Sequence, residues 1–237
     1  MKILLVSSDD IFVSSDDIFV SLIKKKERMM KTVNFDGKKV TPSKIICIGR
    51  NYVDHIAELG NEVPDEMVVF LKPNSAISTQ LQSFHQEPLH YEAELCFMYE
   101  QKLNQQGRFT AVAIGLDLTK RTLQSTLKTK GLPWERAKGF NGAAVFSDFI
   151  RIESIDDNLR LELTIDGKVI QAGGVELMMV KPDVILEQLQ SFMNLEDGDI
   201  VMTGTPKGVG QIVAGSEFVG KVINHDKIFV SATWLAN

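Results

Sequence analysis

Three carboxylates in the middle of the chain are spaced so that they can act together. Glu92 and Glu94 are two apart inside an apolar run, and in a strand residues two apart share a face. Two like charges that close repel, and the repulsion is relieved by protonating one or by binding a cation. Asp117 ends another apolar run, Ala-Ile-Gly-Leu-Asp, where a buried carboxylate also needs a partner. Three carboxylates with no adjacent Cys or His pair form an all-oxygen set, which favours a hard cation such as Mg²⁺ or Mn²⁺ over zinc. By itself, Glu-x-Glu would read as a solvated strand edge.

Other segments carry groups suited to proton transfer and anion binding. In Gly49-Arg50-Asn51-Tyr52-x-x-His55-x-x-Glu58, a helix would put His55 and Glu58 on one face, where Glu58 can orient the imidazole and raise its basicity. Arg121 and Gln124, three apart, offer donors to a carboxylate, and Lys138 lies in an apolar neighbourhood where it could stabilise an enolate. Thr203–Gly210 is glycine-rich and can present backbone N–H groups to an anion, although it lacks the ending of a nucleotide phosphate loop. Taken singly, each also reads as ordinary helix surface or a turn.

The elements that must position these groups follow from apolar periodicity and turn residues. Strands are expected at Lys44–Ile48, Met67–Leu71, Tyr91–Tyr99, Ala111–Leu118 and Asp199–Thr203. Two closing strands are expected near 217–223 and 227–234. Asp166-Gly167 predicts a tight hairpin between Leu159–Ile165 and Lys168–Ala172. Short helices are expected over Asn51–Leu59, after a Thr119 cap to about Lys130, and from Pro182 with Ile185, Leu186, Leu189, Phe192 and Met193 on one face. The reading is one α+β domain, mostly strand.

At 237 residues, 44% apolar and 24% charged, the chain has the composition of a globular protein. A net charge of -5 and the lack of a concentrated basic surface argue against nucleic acid, and no apolar run is long enough for a membrane span. Cys47 and Cys96 lie in apolar runs and read as reduced, buried thiols, so a cytoplasmic enzyme is expected. Residues 1–29 stand apart. Ser-Ser-Asp-Asp-Ile-Phe-Val occurs at 7–13 and again at 14–20, so this segment reads as an extension outside the catalytic domain of 30–237. Ile18, Phe19, Leu22, Ile23, Met29 and Met30 suggest a helix within it.

Taken in order, the stretches IGRNYVDHIAEL, FLKPNSAI, HYEAELCFMY, GLDLTKRTLQ, KGLPWERAKGF and TGTPKGVG resemble the fumarylacetoacetate hydrolase family, in its single-domain acylpyruvase and oxaloacetate decarboxylase branch. The resemblance implies a mixed β-sandwich roll with a few short helices, usually dimeric. It implies Glu92, Glu94 and Asp117 as ligands of Mg²⁺ or Mn²⁺, with His55 and Glu58 as a water-activating pair on a mobile lid. Lys138 is implied as catalytic, and Arg50, Arg121, Gln124 and Thr205 as substrate-binding. The implied substrate is a small 2-oxo acid. Hydrolysis of an acylpyruvate is the first expectation; oxaloacetate decarboxylation or tautomerisation, or isomerisation of a hydroxymuconate-type dienedioate, is the second. A non-catalytic cation-binding β domain is a distant third, because it has no use for His55, Glu58 and Lys138.

Overall fold

In chain order, the strands alternate with short helices in the computed structural model, which describes residues 30–101 and 107–237. The hairpin of Val33–Phe35 (β1) and Lys38–Val40 (β2) precedes Lys44–Gly49 (β3), the helix Val53–Glu58 (α1), Val68–Pro73 (β4) and Ile77–Ser78 (β5). Leu89–Tyr91 (β6), Ala93–Glu100 (β7), Arg108–Asp117 (β8) and Thr119–Lys120 (β9) follow, then the helices Arg121–Thr129 (α2) and Glu135–Lys138 (α3). Ala144–Phe146 (β10), Ile150–Arg151 (β11), Leu159–Ile165 (β12), Lys168–Gly174 (β13) and the helix Pro182–Gln190 (α4) lead to Ile200–Met202 (β14), Gly210–Gln211 (β15), Glu217–Asn224 (β16) and Lys227–Leu235 (β17). Among the described residues, no helix is long and apolar enough to cross a membrane.

A central sheet in the order β4-β3-β14-β7-β8-β10-β5, with β11 also on β8, faces a second sheet in the order β13-β12-β16-β17. It is mixed, since β3 runs parallel to β14 and β5 to β10 while the other pairs are antiparallel. Alternation along β7 explains how the layers form. Leu95 and Phe97 join the inter-sheet core with Leu161, Leu163, Phe218 and Val222, while Cys96 and Met98 point to the other face. That face is packed by Ile45, Cys47, Ala111, Ala113 and Met202 under Val33, Phe35 and Phe149. The middle strands are therefore buried on both faces, as their unbroken apolar runs require.

Most expected elements form, with small differences that have physical causes. Asp166 and Gly167 both adopt left-handed backbone (φ 49° and 78°) and join β12 to β13 as a two-residue turn. Thr119 does not cap a helix: it pairs with His90 in β9, and α2 starts after Lys120 without a side-chain cap. Phe192 lies past the end of α4 and is exposed, so the helix buries only Pro182, Ile185 and Leu189 fully. The buried thiols Cys47 and Cys96 both pair with Met202 of the strand between them. Two strand spacings, about 9–10 Å, keep them too far apart for a disulfide. The expected helix around Ile18–Met30 falls outside the described residues.

Asp199 ties the start of β3 to the start of β14. Its buried carboxylate accepts Ser43 N at 3.1 Å, Ser43 Oγ at 2.7 Å, Lys44 N at 3.1 Å, Lys44 Nζ at 2.5 Å and Glu196 N at 2.8 Å. Burial alone would raise its pKa, but the Glu196 N–H with Lys44 and Ser43 outweighs this and holds it below the usual value. Asp199→Asn should cost about 1–3 kcal/mol, the penalty of unmaking buried charged hydrogen bonds. A carboxylate with a depressed folded pKa stabilises above its unfolded pKa of about 3.9 and loses that contribution as pH falls through the folded value. Thermal melts should show the Asp199→Asn deficit at neutral pH and its closure on acidification below ~4; a deficit independent of pH would refute the assignment.

Candidate metal centre and active site

The register of β7 and β8 brings the three carboxylates to one point. Glu94 pairs with Gly115, and Asp117 N donates to Glu92 O at 2.8 Å one step further along the ladder. Glu94 and Asp117 lie on the face that carries Cys96, Ala113 and Gly115. Glu92 differs from its sequence expectation, for it sits in the break between β6 and β7 rather than inside a strand. One ligand oxygen from each of Glu92, Glu94 and Asp117 lies within 4.8 Å of the others, and all three residues are buried. Gly115 makes the approach possible, because a Cβ there would meet Cys96 Sγ at 2.6 Å and the Phe146 ring at 2.8 Å.

Three cations face these three acids. Lys138, at the end of α3, donates to Glu92 Oε2, Asp117 Oδ2 and Thr119 Oγ1, each at 2.7 Å. All three donors of its ammonium are thereby committed. Lys72 of β4 is fully buried, bonds to the Lys138 carbonyl, and lies 2.7 Å from Asp117 Oδ1. Arg121 joins Glu92 Oε1 through Nη2 and Gln124 Oε1 through Nη1, the latter at 2.8 Å.

The charges shift one another unequally. Burial opposes the charged form of Lys138, but Asp117 and Glu92 outweigh it and raise its pKa. Burial would also raise Glu92, yet Lys138, Arg121 and His55 hold it far below the usual carboxylate range. Glu94 goes the other way: burial first, then Asp117 and Glu92, push it well above that range. Its hydrogen-bond partner is the Gly204 N–H, 2.7 Å from Oε2, and no cation pairs with it.

Above the carboxylates lies α1. His55 is buried, and its Nδ1 lies 3.2 Å from Glu58 Oε2, as their spacing predicts. Glu58 is itself held by Gly208 N, at 3.0 and 3.2 Å from its two oxygens. The glycine-rich loop does present N–H groups to anions, but those anions are the chain's own Glu94 and Glu58. Gly208 (φ 101°) has to be glycine, because a Cβ there would come 2.2 Å from Ile170 O. Buried Gln171 clamps the loop to the ligand strand, receiving Ala93 N at 3.0 Å and donating to Thr205 Oγ1 and Pro206 O at 2.8 Å. Asn51 fixes the root of α1 by donating to Thr203 O at 2.9 Å and Val180 O at 3.0 Å.

A cleft of about 450 Å³, counting its open mouth, is lined by Arg50, His55, Glu92, Glu94, Asp117, Arg121, Gln124, Lys138 and Thr205. Only about 40 Å³ of it admits water-sized spheres, so a substrate enters only if α1 or side chains move aside. Of the residues singled out in the sequence, Glu58 alone is off this wall and acts through His55. Sequence reasoning missed Lys72, Lys128, Asn51 and Gln171. Lys72 had one signal, a lone charge in the β-branched run Val68–Leu71 just before Pro73. Gln171 had none.

The donor set suits a hard divalent cation. It is all oxygen and buried, and it carries the uncompensated acid Glu94. Asp117 Oδ1 adds a lone pair, since its approach to Lys72 is an ion pair without hydrogen-bond geometry. Residues 44–232 match the family described as fumarylacetoacetate (FAA) hydrolase C-terminal. Oxaloacetate tautomerase FAHD1, mitochondrial, of Bos taurus is 37% identical over 73% of this chain and 84% of its own length. Fumarylpyruvate hydrolase of Pseudomonas aeruginosa, solved in complex with Mn²⁺ and pyruvate, aligns with TM-score 0.76 at 25% identity, covering 87% of this chain and 95% of that one. A 5-carboxymethyl-2-hydroxymuconate delta-isomerase of Mycobacterium smegmatis aligns with TM-score 0.66 at 28% identity, over 84% and 80% of the two chains.

Glu94 provides a clean test of the metal centre, because no cation depends on it. Glu94→Gln should weaken Mn²⁺ binding by more than about 100-fold in titration calorimetry, beyond the 10–100-fold usual for an outer partner. The melting temperature of the chelator-treated protein should hold or rise, since one repelling charge is gone. Asp117→Ala should instead destabilise it by roughly 3–5 kcal/mol by stranding Lys72 and Lys138. Unchanged Mn²⁺ affinity in Glu94→Gln would exclude Glu94 as a ligand.

Proposed function

Because the chain belongs to the fumarylacetoacetate hydrolase family and is an enzyme, we propose that it interconverts the keto and enol forms of oxaloacetate with Mg²⁺ or Mn²⁺ at Glu92, Glu94 and Asp117. The observation that carries this reading is the position of His55 between Glu58 and the carboxylates. Glu58 can only accept a hydrogen bond, so Nδ1 carries the proton and Nε2 is left as the base on the cleft wall. The bovine relative's activity ranks the oxaloacetate reaction ahead of acylpyruvate hydrolysis, which the sequence placed first.

When bound, the cation supplies Lewis-acid polarisation of the keto oxygen. The chain's own groups do the rest. His55 Nε2 takes a proton from C3, the C–H electron pair becomes the C2–C3 double bond, and the negative charge moves to the keto oxygen. The imidazolium returns the proton to that oxygen, directly or through water, and the enol is complete. Glu58 holds the ring and stabilises its cationic form. Gln124 accepts from Arg121 through its carbonyl, which leaves its amide NH₂ for the substrate carboxylate, beside the Thr205 hydroxyl. Lys138 contributes fixed positive charge to the cleft floor through Glu92 and Asp117.

A second reading is hydrolysis of a fumarylpyruvate-type acylpyruvate, supported by the same His55–Glu58 pair, which suits activation of water. We further propose a homodimer, as the family resemblance implies, working in the cytoplasm; the mitochondrial address belongs to the bovine relative's name.

The deciding experiment is an ultraviolet assay of oxaloacetate enol–keto conversion, run beside fumarylpyruvate and acetylpyruvate hydrolysis with each metal. Turnover of oxaloacetate should exceed both hydrolyses in kcat/KM; the reverse order would install the second reading. His55→Ala should lower kcat for the conversion by about 10²–10⁴-fold. Glu58→Gln, which keeps a hydrogen-bond acceptor but loses the charge, should cost less.

A further inference from the structure

One face of α2 forms a row of polar groups leading out of the cleft. Arg121, Gln124 and Lys128 are spaced three and four apart, so the row extends ~10 Å along the helix from the carboxylates. The inner two are committed to Glu92 and to each other. Lys128, at the outer end, is partly buried, and its Nζ donates to Asn61 Oδ1 at 2.5 Å. Arg50 lines the same cleft from the opposite side. It stands in left-handed backbone (φ 56°), a conformation non-glycine residues adopt only where the surroundings enforce it. Among the described residues, its guanidinium has no carboxylate partner.

Counting charge shows what is left over. Glu92, Glu94 and Asp117 are the only acids on the cleft wall, and Lys72, Lys138 and Arg121 already match them in number. Arg50 and Lys128 are two surplus cations at the mouth of one partly desolvated cleft. Burial first, then Arg50 and Arg121, hold the Lys128 pKa below that of an ordinary lysine, and no carboxylate offsets them. Like charges so placed are relieved by an anion between them. Leu59 and Trp134 line the wall beside them and suit a short carbon chain.

We propose that Arg50 and Lys128 form a second anion-binding position, which receives the distal carboxylate of a 2-oxo dicarboxylic acid whose 2-oxo end is held over the carboxylate floor. The proposal rests on the 2-oxo acid reading above and narrows its substrate class to dicarboxylates. Arg50 supplies a planar fork for the carboxylate, and Lys128 a point charge braced by Asn61.

Pyruvate and oxaloacetate make a matched pair of probes, because they differ by one carboxylate on C3. Titration calorimetry of the full chain loaded with Mn²⁺ should give wild-type affinity for fresh oxaloacetate about 10–100-fold above that for pyruvate, the worth of one charged hydrogen bond. Lys128→Gln should remove most of this preference and leave pyruvate within about twofold, Lys128→Arg should restore it, and Lys128→Glu should abolish it. Circular dichroism and Mn²⁺ affinity equal to wild type certify each variant. A wild type that binds both acids equally, or a Lys128→Gln that weakens both alike, overturns the second position while the 2-oxo acid reading stands. A wild type that holds Mn²⁺ but binds neither acid overturns that reading, and the second position falls with it.

Discussion

The structure is governed by the cost of taking three carboxylates out of water at one place. Desolvating a single ionised side chain costs several kcal/mol, and two neighbours of like sign add to it. The fold meets this with Lys138, Lys72 and Arg121, drawn from α3, β4 and α2, so that elements distant in sequence meet over the ends of β7 and β8. The match is incomplete at Glu94, which faces a backbone N–H and no cation. That shortfall, with the free lone pair on Asp117, is where a divalent cation finds its driving force. The same buried pairs that make the site attractive to a metal make its removal or mutation costly, so metal affinity and stability are coupled here.

The floor and roof of the cleft are held by different kinds of bond. The floor is a network of buried ion pairs on the ends of central strands. The roof is α1, a helix of six residues, too short to be stable alone and fixed by Asn51 at its root and by Glu58 on Gly208 at its far end. The Glu58–Gly208 bond is exposed and therefore weak, which suits a part that must open for a substrate larger than the enclosed space. Its breaking would also release the carboxylate that orients His55. In the functional reading advanced above, opening the roof therefore disarms the base, and closing it restores the base together with the dry environment in which it works.

Much of this was legible in the sequence because it depends on local pattern. Period-two alternation and turn residues located most of the strands, Asp166-Gly167 fixed a hairpin, and the spacing of His55 and Glu58 put them on one helical face. Glu92, Glu94 and Asp117 were recognisable as an oxygen-rich set because acids inside apolar runs demand a reason. Local pattern misled where a tertiary partner had a stronger claim: the Thr119 hydroxyl takes the Lys138 ammonium rather than capping α2, and Glu92 falls in a break between strands.

What only the tertiary structure decided is which charges pair. Lys72 lies 45 residues from Asp117, and no spacing rule links them; the antiparallel pairing of β4 with β3, and the parallel step to β14, carry that lysine to the ligand face. Gln171 and Asn51 likewise act across 78 and 129 residues. The sequence by itself determined the kind of chemistry, since residue types set what a group can donate, accept or bind. The fold determined which groups are spent on one another and which remain free, because pairing depends on distances that only the packed sheets establish. Lys138, with every donor engaged, and Arg50, with none, look alike in the sequence and differ only there.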